Sequence, residues 1–344
     1  MSILIRRATL FGVMPLAPIL VGGYIWYQMS DTGKGWRYKE KLTTYCEGLI
    51  PYEESAVFTG LNTESGLARD ELQRFGDSRF YSCRVSDMTM TIGLIADDAI
   101  NSRQDEFEML DTLHSSASDT PPNPLDGGWQ GYTDLRNTGV VLPCKNRPAS
   151  VVVSIAGDES HENPRESREV GELAVATARN ASVHWSCKTK FGGRIPSISG
   201  PTTEKYPSSA TGTCKGIHIT GHESLHIDWI KESKASGTTP LEMCTFGEFG
   251  ANSEILYKLE AAFGPYAQRL RSETDELGTM NADTGLRLDM AWGTAACPGS
   301  ARAIFSIYAT EYADPLKAFL VKALRAFAER SAARHGCTDL KLPR

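Results

Sequence analysis

The chain has 344 residues, enough for about two domains of ordinary size, and its 41% hydrophobic and 23% charged content is that of a globular protein. This excludes a disordered, collagenous or coiled-coil chain. With 36 basic against 42 acidic side chains the net charge is −6, which leaves no electrostatic footprint for a phosphate backbone, so nucleic acid is not an expected partner.

Arg6 and Arg7 precede an uncharged run from Ala8 to Tyr27. At about 1.5 Å per residue this run is long enough to cross a hydrocarbon core of about 30 Å. Residues 1–29 therefore read as a cytoplasmic stub and transmembrane signal anchor, with the lipid bilayer as partner through residues 8–27, and residues 30–45 as a juxtamembrane segment. Tyr24, Trp26 and Tyr27 suit an interfacial aromatic belt, while Pro15 and Pro18 would kink the span without forbidding it. Cleavage after the small residues Val21-Gly22-Gly23 is the alternative. Orientation is contested, because Lys34, Arg37, Lys39 and Lys41 beyond the span outnumber the two arginines before it. The cysteines decide it. Eight of them, with no C-x-x-C spacing, suit an oxidising compartment rather than a reducing cytosol. The expected location is the plasma membrane, single-pass, with the C-terminal bulk extracytoplasmic. No cysteine ends the apolar run, so a lipid anchor is not supported.

From Cys46 the chain resembles itself. Cys46-Glu47-Gly48-Leu49-Ile50 recurs as Cys214-Lys215-Gly216-Ile217-His218, and Leu142-Pro143-Cys144 with Ala149–Ile155 recurs as Ala295-Ala296-Cys297 with Ala301–Ile307. Cysteines 46, 83, 144 and 187 are separated by 37, 61 and 43 positions, and cysteines 214, 244, 297 and 337 by 30, 53 and 40. Similar segments in a fixed order signal duplication. A first module over 46–196 and a second over 214–344 are joined by 197–213, a stretch of Ser, Thr, Pro and Gly that reads as a linker.

In the first module, Pro51–Gly60 predicts a short helix, with proline suited to the start and glycine to the stop. Phe80–Val85 reads as a strand carrying Cys83. Met88, Met90, Ile92, Leu94 and Ala96 alternate with Thr89, Thr91 and Gly93, the pattern of a half-buried strand. Residues 115–128, rich in proline and glycine, read as a surface loop. Val151–Ile155 reads as a central strand, and Arg165–Ala181 as an amphipathic helix. In the second module, Ile255–Phe263 fits either helix or strand, and comparison with the first module favours strand. Ile304–Tyr308 reads as a central strand, and Pro315–Arg334 spaces Leu316, Phe319, Leu320, Ala323, Leu324 and Phe327 for an amphipathic helix. The expected fold class is α+β: a transmembrane helix, then two tandem related modules, each an antiparallel sheet with one short and one long helix, the long helix preceding a closing strand. Eight cysteines allow 105 pairings, and confinement within modules cuts these to nine. First with second and third with fourth is the expected pattern, because those pairs tie one element to the next.

His222-Glu223-Ser224-Leu225-His226 resembles the H-E-x-x-H zincin signature, in which two helical histidines hold Zn²⁺ and the glutamate activates water. Against this, Thr220 and Glu223 match a capping box, which would fold the carboxylate back on the helix start. The corresponding stretch Pro51–Phe58 has no histidine. A third ligand would have to be Glu242, Glu248 or Glu254. Asp158, Glu159, His161 and Glu162 lead into a helix and read as favourable dipole placement rather than a metal site. Asp97-Asp98 reads as a solvated turn, Asn180-Ala181-Ser182 as a helical segment rather than a glycan acceptor, and Trp129, Trp185, Trp229 and Trp292 as core residues.

The cysteine followed by G-[LI]-I-P-like residues and a short helix, then a second cysteine on a strand, resembles uncharacterised membrane-anchored or lipid-anchored envelope proteins of streptomycetes and related actinobacteria. The resemblance spans Cys46 to Cys337 and implies an envelope location and a related fold, with no catalytic residue carried over. The function expected is noncatalytic: binding of an unknown protein or envelope ligand, or envelope assembly, without a cofactor. The alternative is a zinc-dependent metallopeptidase with His222 and His226 as ligands and Glu223 as base.

Overall fold

The computed structural model describes residues 23–24, 26–75, 78–97, 120–250, 253–275, 282–299 and 302–344. The expected span over 8–27 lies almost wholly outside the described residues. Among the described residues no helix is long and apolar enough to cross a membrane. Helix α1 (Asp31–Leu42) is capped by the Ser30 hydroxyl, which accepts from the Gly33 amide at 3.0 Å, and it buries Tyr38 and Leu42. Helix α2 (Tyr52–Thr59) follows a 3₁₀ turn at Tyr45–Gly48. Pro51 sits at its N-cap, and Gly60 closes it in the left-handed region at φ 56°, as the stop signal predicts.

The first sheet runs β1 (Asp70–Phe75), β2 (Ser78–Val85), β3 (Met88–Ala96), β4 (Asn123–Pro124), β5 (Gly131–Thr133), β6 (Asn137–Pro143) and β7 (Ala149–Gly157), in the spatial order β1-β2-β3-β7-β6-β5-β4. Every neighbouring pair is antiparallel. Helix α3 (Pro164–His184) follows, with the Asn163 side chain accepting from the Arg165 amide at 3.0 Å and proline in its first turn. The second sheet comprises β8 (Trp229–Glu232), β9 (Leu241–Gly247), β10 (Ile255–Ala262), β11 (Gly285–Leu286), β12 (Met290–Ala296), β13 (Ala303–Ala309) and β14 (Thr338–Lys341). Its order is β11-β12-β13-β10-β9-β8, with β14 also on β12. Helices α4 (Pro265–Asp275) and α5 (Lys317–Arg334) also belong to this half. The two sheet paths match: β8, β9, β10, β13, β12 and β11 occupy the places of β1, β2, β3, β7, β6 and β5.

Strand alternation divides each sheet into two faces. On the first sheet, Met88, Met90, Ile92, Val140, Leu142, Val151, Val153 and Ile155 pack under Val170, Leu173, Ala174, Ala178 and Ala181 of α3. On the second, Phe246, Leu259, Ala261, Phe305 and Ile307 pack under Phe319, Leu320, Ala323, Leu324 and Phe327 of α5. The alternate residues meet each other: Phe80, Ile95, Val141 and Val152 of the first sheet with Leu241, Ala262, Trp292 and Ile304 of the second. The result is four layers, helix on sheet on sheet on helix. Tyr266 of α4 packs edge-on to Tyr132, and a Cβ at Gly139 would lie 2.2 Å from its hydroxyl, so only glycine admits this ring. The Gln268 side chain donates to the carbonyls of Ala96 and Asp97 at 3.1 and 3.0 Å.

All eight cysteines are paired, as Cys46–Cys83, Cys144–Cys187, Cys214–Cys244 and Cys297–Cys337. This is the expected pairing of first with second and third with fourth. Two expectations need correction. The reading of 115–128 as a surface loop holds only in part: over the described residues 120–128 the chain is irregular except at Asn123–Pro124, which forms a short strand, and it is not on the surface throughout, since Leu125 is buried in the first core. Its prolines end sheet pairing at an edge, where a missing amide costs nothing. A closing strand after the long helix occurs only in the second sheet, as β14; the chain from Ser186 to Pro201 has no regular element.

Candidate functional site

Each first cysteine is held in the same way. The amide of Cys46 donates to Asp70 Oδ2 at 3.2 Å, and the amide of Cys214 donates to Glu232 Oε2 at 2.8 Å. Asp70 pairs across the sheet with Cys83, and Glu232 with Cys244, so each acid lies opposite the cysteine that completes the bridge. The residue before each first cysteine also bonds the second strand: Tyr45 donates to the Arg84 carbonyl at 2.7 Å, and Thr213 to the Met243 carbonyl. Sequence reading missed these acids. The available signal was their position, thirteen residues before Cys83 and twelve before Cys244.

The H-E-x-x-H segment is not α-helical. Gly221–Leu225 forms a 3₁₀ helix, with Thr220 extended before it and His226 after it. The capping box does not form, since Thr220 makes no side-chain cap bond. Glu223 instead turns inward, 3% exposed, and its Oε2 accepts from the Tyr257 hydroxyl of β10 at 2.8 Å. Burial, then the Glu223 hydrogen bond and charge, and then Asp314 hold Tyr257 far above the ordinary phenol range. The other oxygen, Oε1, is buried with no partner. The His222 and His226 rings lie 4.7 Å apart, and His226 Nδ1 is 3.8 Å from Glu248 Oε1. These residues, with Leu256, Tyr312, Ala313 and Asp314 from the far side, line a cleft of about 100 Å³.

The structure thus gathers His222, Glu223 and His226, but no three His, Cys, Asp or Glu side chains among the described residues are arranged to hold a metal ion. Of the candidate third ligands, Glu242 is elsewhere, buried against Ser331 at 2.6 Å and Arg334 at 2.6 Å. Glu248 borders the cleft. Tyr257, Tyr312 and Asp314 could not be found from sequence, because they reach the cleft from strands and loops far along the chain.

The remaining candidates lie outside the cleft. His161 is buried, with Nδ1 3.2 Å from Glu166 in the first turn of α3, and Asp158 pairs with Arg84. Asp97 lies in a turn, while Asp98 is outside the described residues. Asn180 lies within α3 and donates to the Leu49 carbonyl at 3.0 Å. Trp129, Trp229 and Trp292 are buried, and Trp185 stacks on Tyr81. Comparison with protein-family models, curated proteins and solved structures finds no match to this chain.

Proposed function

We propose that this is a membrane-tethered extracytoplasmic protein in which two copies of one disulfide-stapled module form a noncatalytic binding body. The observation that carries this reading is the oxidation of all eight cysteines into four bridges, two in each sheet-and-helix unit. Such a framework persists outside the reducing cytosol. Duplication is supported by the matching strand paths and by Asp70 and Glu232, which hold corresponding amides. Tethering is supported by the apolar run over 8–27 and by the exposed Tyr24 and Trp26 at its end and Trp36 just beyond it, aromatic residues of the kind that sit at lipid interfaces. A binding role is supported by Glu223, which faces Tyr257 rather than lying open as a general base over two helical ligands.

The test uses the full chain in intact cells. Protease added outside should digest the portion beyond residue 30 only where it is accessible, and unreduced peptide mapping should return the four bridges above. Free thiols, or protection of the bulk until the cells are lysed, would overturn the reading. Purified protein is expected to carry no stoichiometric zinc and to hydrolyse no peptide.

A further inference from the structure

We infer that the Glu223 cleft is a socket for a positively charged side chain, arginine or lysine, presented by an apolar segment of a partner protein. This rests on the binding reading above and names the chemistry of the partner.

The size of the cleft restricts its occupant. At about 100 Å³ it holds roughly three waters, whereas pockets for whole small molecules run to about 300–1,000 Å³. A head group fits and a metabolite does not. Charge restricts it further. Glu223, Glu248 and Asp314 line the cleft, and no lysine or arginine among the described residues does. An anion would meet three carboxylates with no counter-charge. A metal ion lacks a set of three converging ligands among the described residues. A cationic head group on a chain remains.

Two independent features point to an occupant. Only 3% of Glu223 is exposed, yet its Oε1 has no hydrogen-bond partner among the described residues. A buried carboxylate oxygen without a partner is costly, and a donor from outside would relieve that cost. The surroundings are also apolar and exposed. Tyr312 lines the cleft and is 57% exposed, while Leu225, Phe249 and Leu316, each within two residues of a lining residue, are 76%, 54% and 48% exposed. A polar socket with an exposed tyrosine on its wall and exposed apolar side chains on neighbouring residues has features of an interaction hot spot, in which apolar contacts exclude water from a central charged contact.

The test compares two peptides on the full-length oxidised chain at pH about 7.5. The probes are acetyl-Gly-Leu-Arg-Leu-Gly-amide and the same peptide with citrulline, its uncharged isostere, in place of arginine. Binding is read by calorimetry and by the imidazole resonances of His222 and His226. The arginine peptide should bind at about millimolar concentration or better and the citrulline peptide at least about tenfold more weakly, the scale of one charge-assisted hydrogen bond. Glu223→Gln should abolish that preference. Glu248→Gln, at the exposed rim where folding is not at stake, should weaken arginine binding about threefold and flatten its salt dependence. No arginine binding, equal binding of both peptides, or a preference that survives Glu223→Gln would overturn the inference. So would tight retention of added Zn²⁺ that displaces the peptide. Mass spectrometry of the recovered probe separates the two levels of failure. Cleavage of the peptide would defeat the noncatalytic reading, whereas an intact but unbound peptide defeats only the socket.

Discussion

Glu232→Gln removes one charge from a nearly full set of contacts. Oε1 accepts from the Thr211 and Gly212 amides, both at 2.8 Å, and pairs with Lys205 at 2.5 Å, while Oε2 accepts from the Cys214 amide at 2.8 Å. Glutamine keeps the volume but offers one acceptor and turns a donor toward an N–H. A charge-assisted hydrogen bond contributes about 1.5–3 kcal/mol, and breaking a buried pair costs about 3–5 kcal/mol. Lys205 is one-third exposed and can return to water, so the expected loss is about 2–4 kcal/mol. With a urea slope of about 2–3 kcal/mol/M, the midpoint should fall by about 1 M. The effect should depend on pH. Burial alone would raise the Glu232 carboxyl, but Lys205 and the amides of Gly212, Thr211 and Cys214 outweigh it and hold the group below its ordinary range. A folded value below the unfolded one of about 4.3 gives stability that is present above pH about 4.3 and lost as pH falls through the folded value. The gap between wild type and variant should therefore be full at neutral pH and close in acid. Urea unfolding of the oxidised protein, followed by circular dichroism at several pH values, reads both. Equal midpoints at neutral pH, or a gap that persists unchanged in acid, would refute the reasoning. Asp70→Asn supplies the contrast: it is exposed and makes one such bond at 3.2 Å, so it should cost about 0.5–1 kcal/mol.

Three further outcomes follow from packing. Gly139→Ala places a methyl 2.2 Å from the Tyr266 hydroxyl and 2.5 Å from Tyr132, so it should destabilise by about 1–3 kcal/mol in a thermal melt, although the same change in an open strand would stabilise. Removing the Cys144–Cys187 bridge by a double serine substitution releases a 43-residue loop and should cost about 4 kcal/mol on the loop-entropy account, read as a lower denaturant midpoint. Tyr257→Phe takes the one hydrogen bond from buried Glu223 and should cost about 1–3 kcal/mol at neutral pH, with the far-ultraviolet spectrum unchanged.

The sequence was legible where one local rule acted alone. Alternation over Met88–Ala96 and the 3–4 spacing of Leu320, Ala323, Leu324 and Phe327 depend on neighbours, and both elements form, although the strand read as half-buried is covered on both faces because Ile95 meets the second sheet. The bridges were legible because each closes a segment of modest length within its unit. Helix α4 was not, because Tyr266 is held by a hole over Gly139 in the other sheet, a contact no window contains. Strand β12 is mostly alanine, glycine and threonine and carries little strand signal, yet it pairs with β11, β13 and β14 at once. Glu223 shows the same limit at the site. Its capping partner sits three residues away, but Tyr257, 34 residues on, takes the carboxylate inward.

On the duplicated reading, the seam between the sheets has a particular character. It draws on corresponding strands from each side: Phe80 with Leu241, Ile95 with Ala262, and Val152 with Ile304 lie on β2 and β9, β3 and β10, β7 and β13. The same patch used by both partners is the geometry of a twofold homodimer, here carried in one chain. If that seam and not the connecting segment holds the halves together, cutting the segment should leave them associated. A protease site inserted between Gly200 and Pro201 lies ahead of Lys205, which bridges to Ile230 and pairs with Glu232, so the cut disturbs neither core. After cleavage under non-reducing conditions the two fragments should co-elute in size exclusion at the volume of the uncut chain, and Gly139→Ala should promote their separation. Fragments that part on cleavage of the wild type would mean that the inner faces contribute little, and that the connection, rather than a matched interface, sets the pairing of the two sheets.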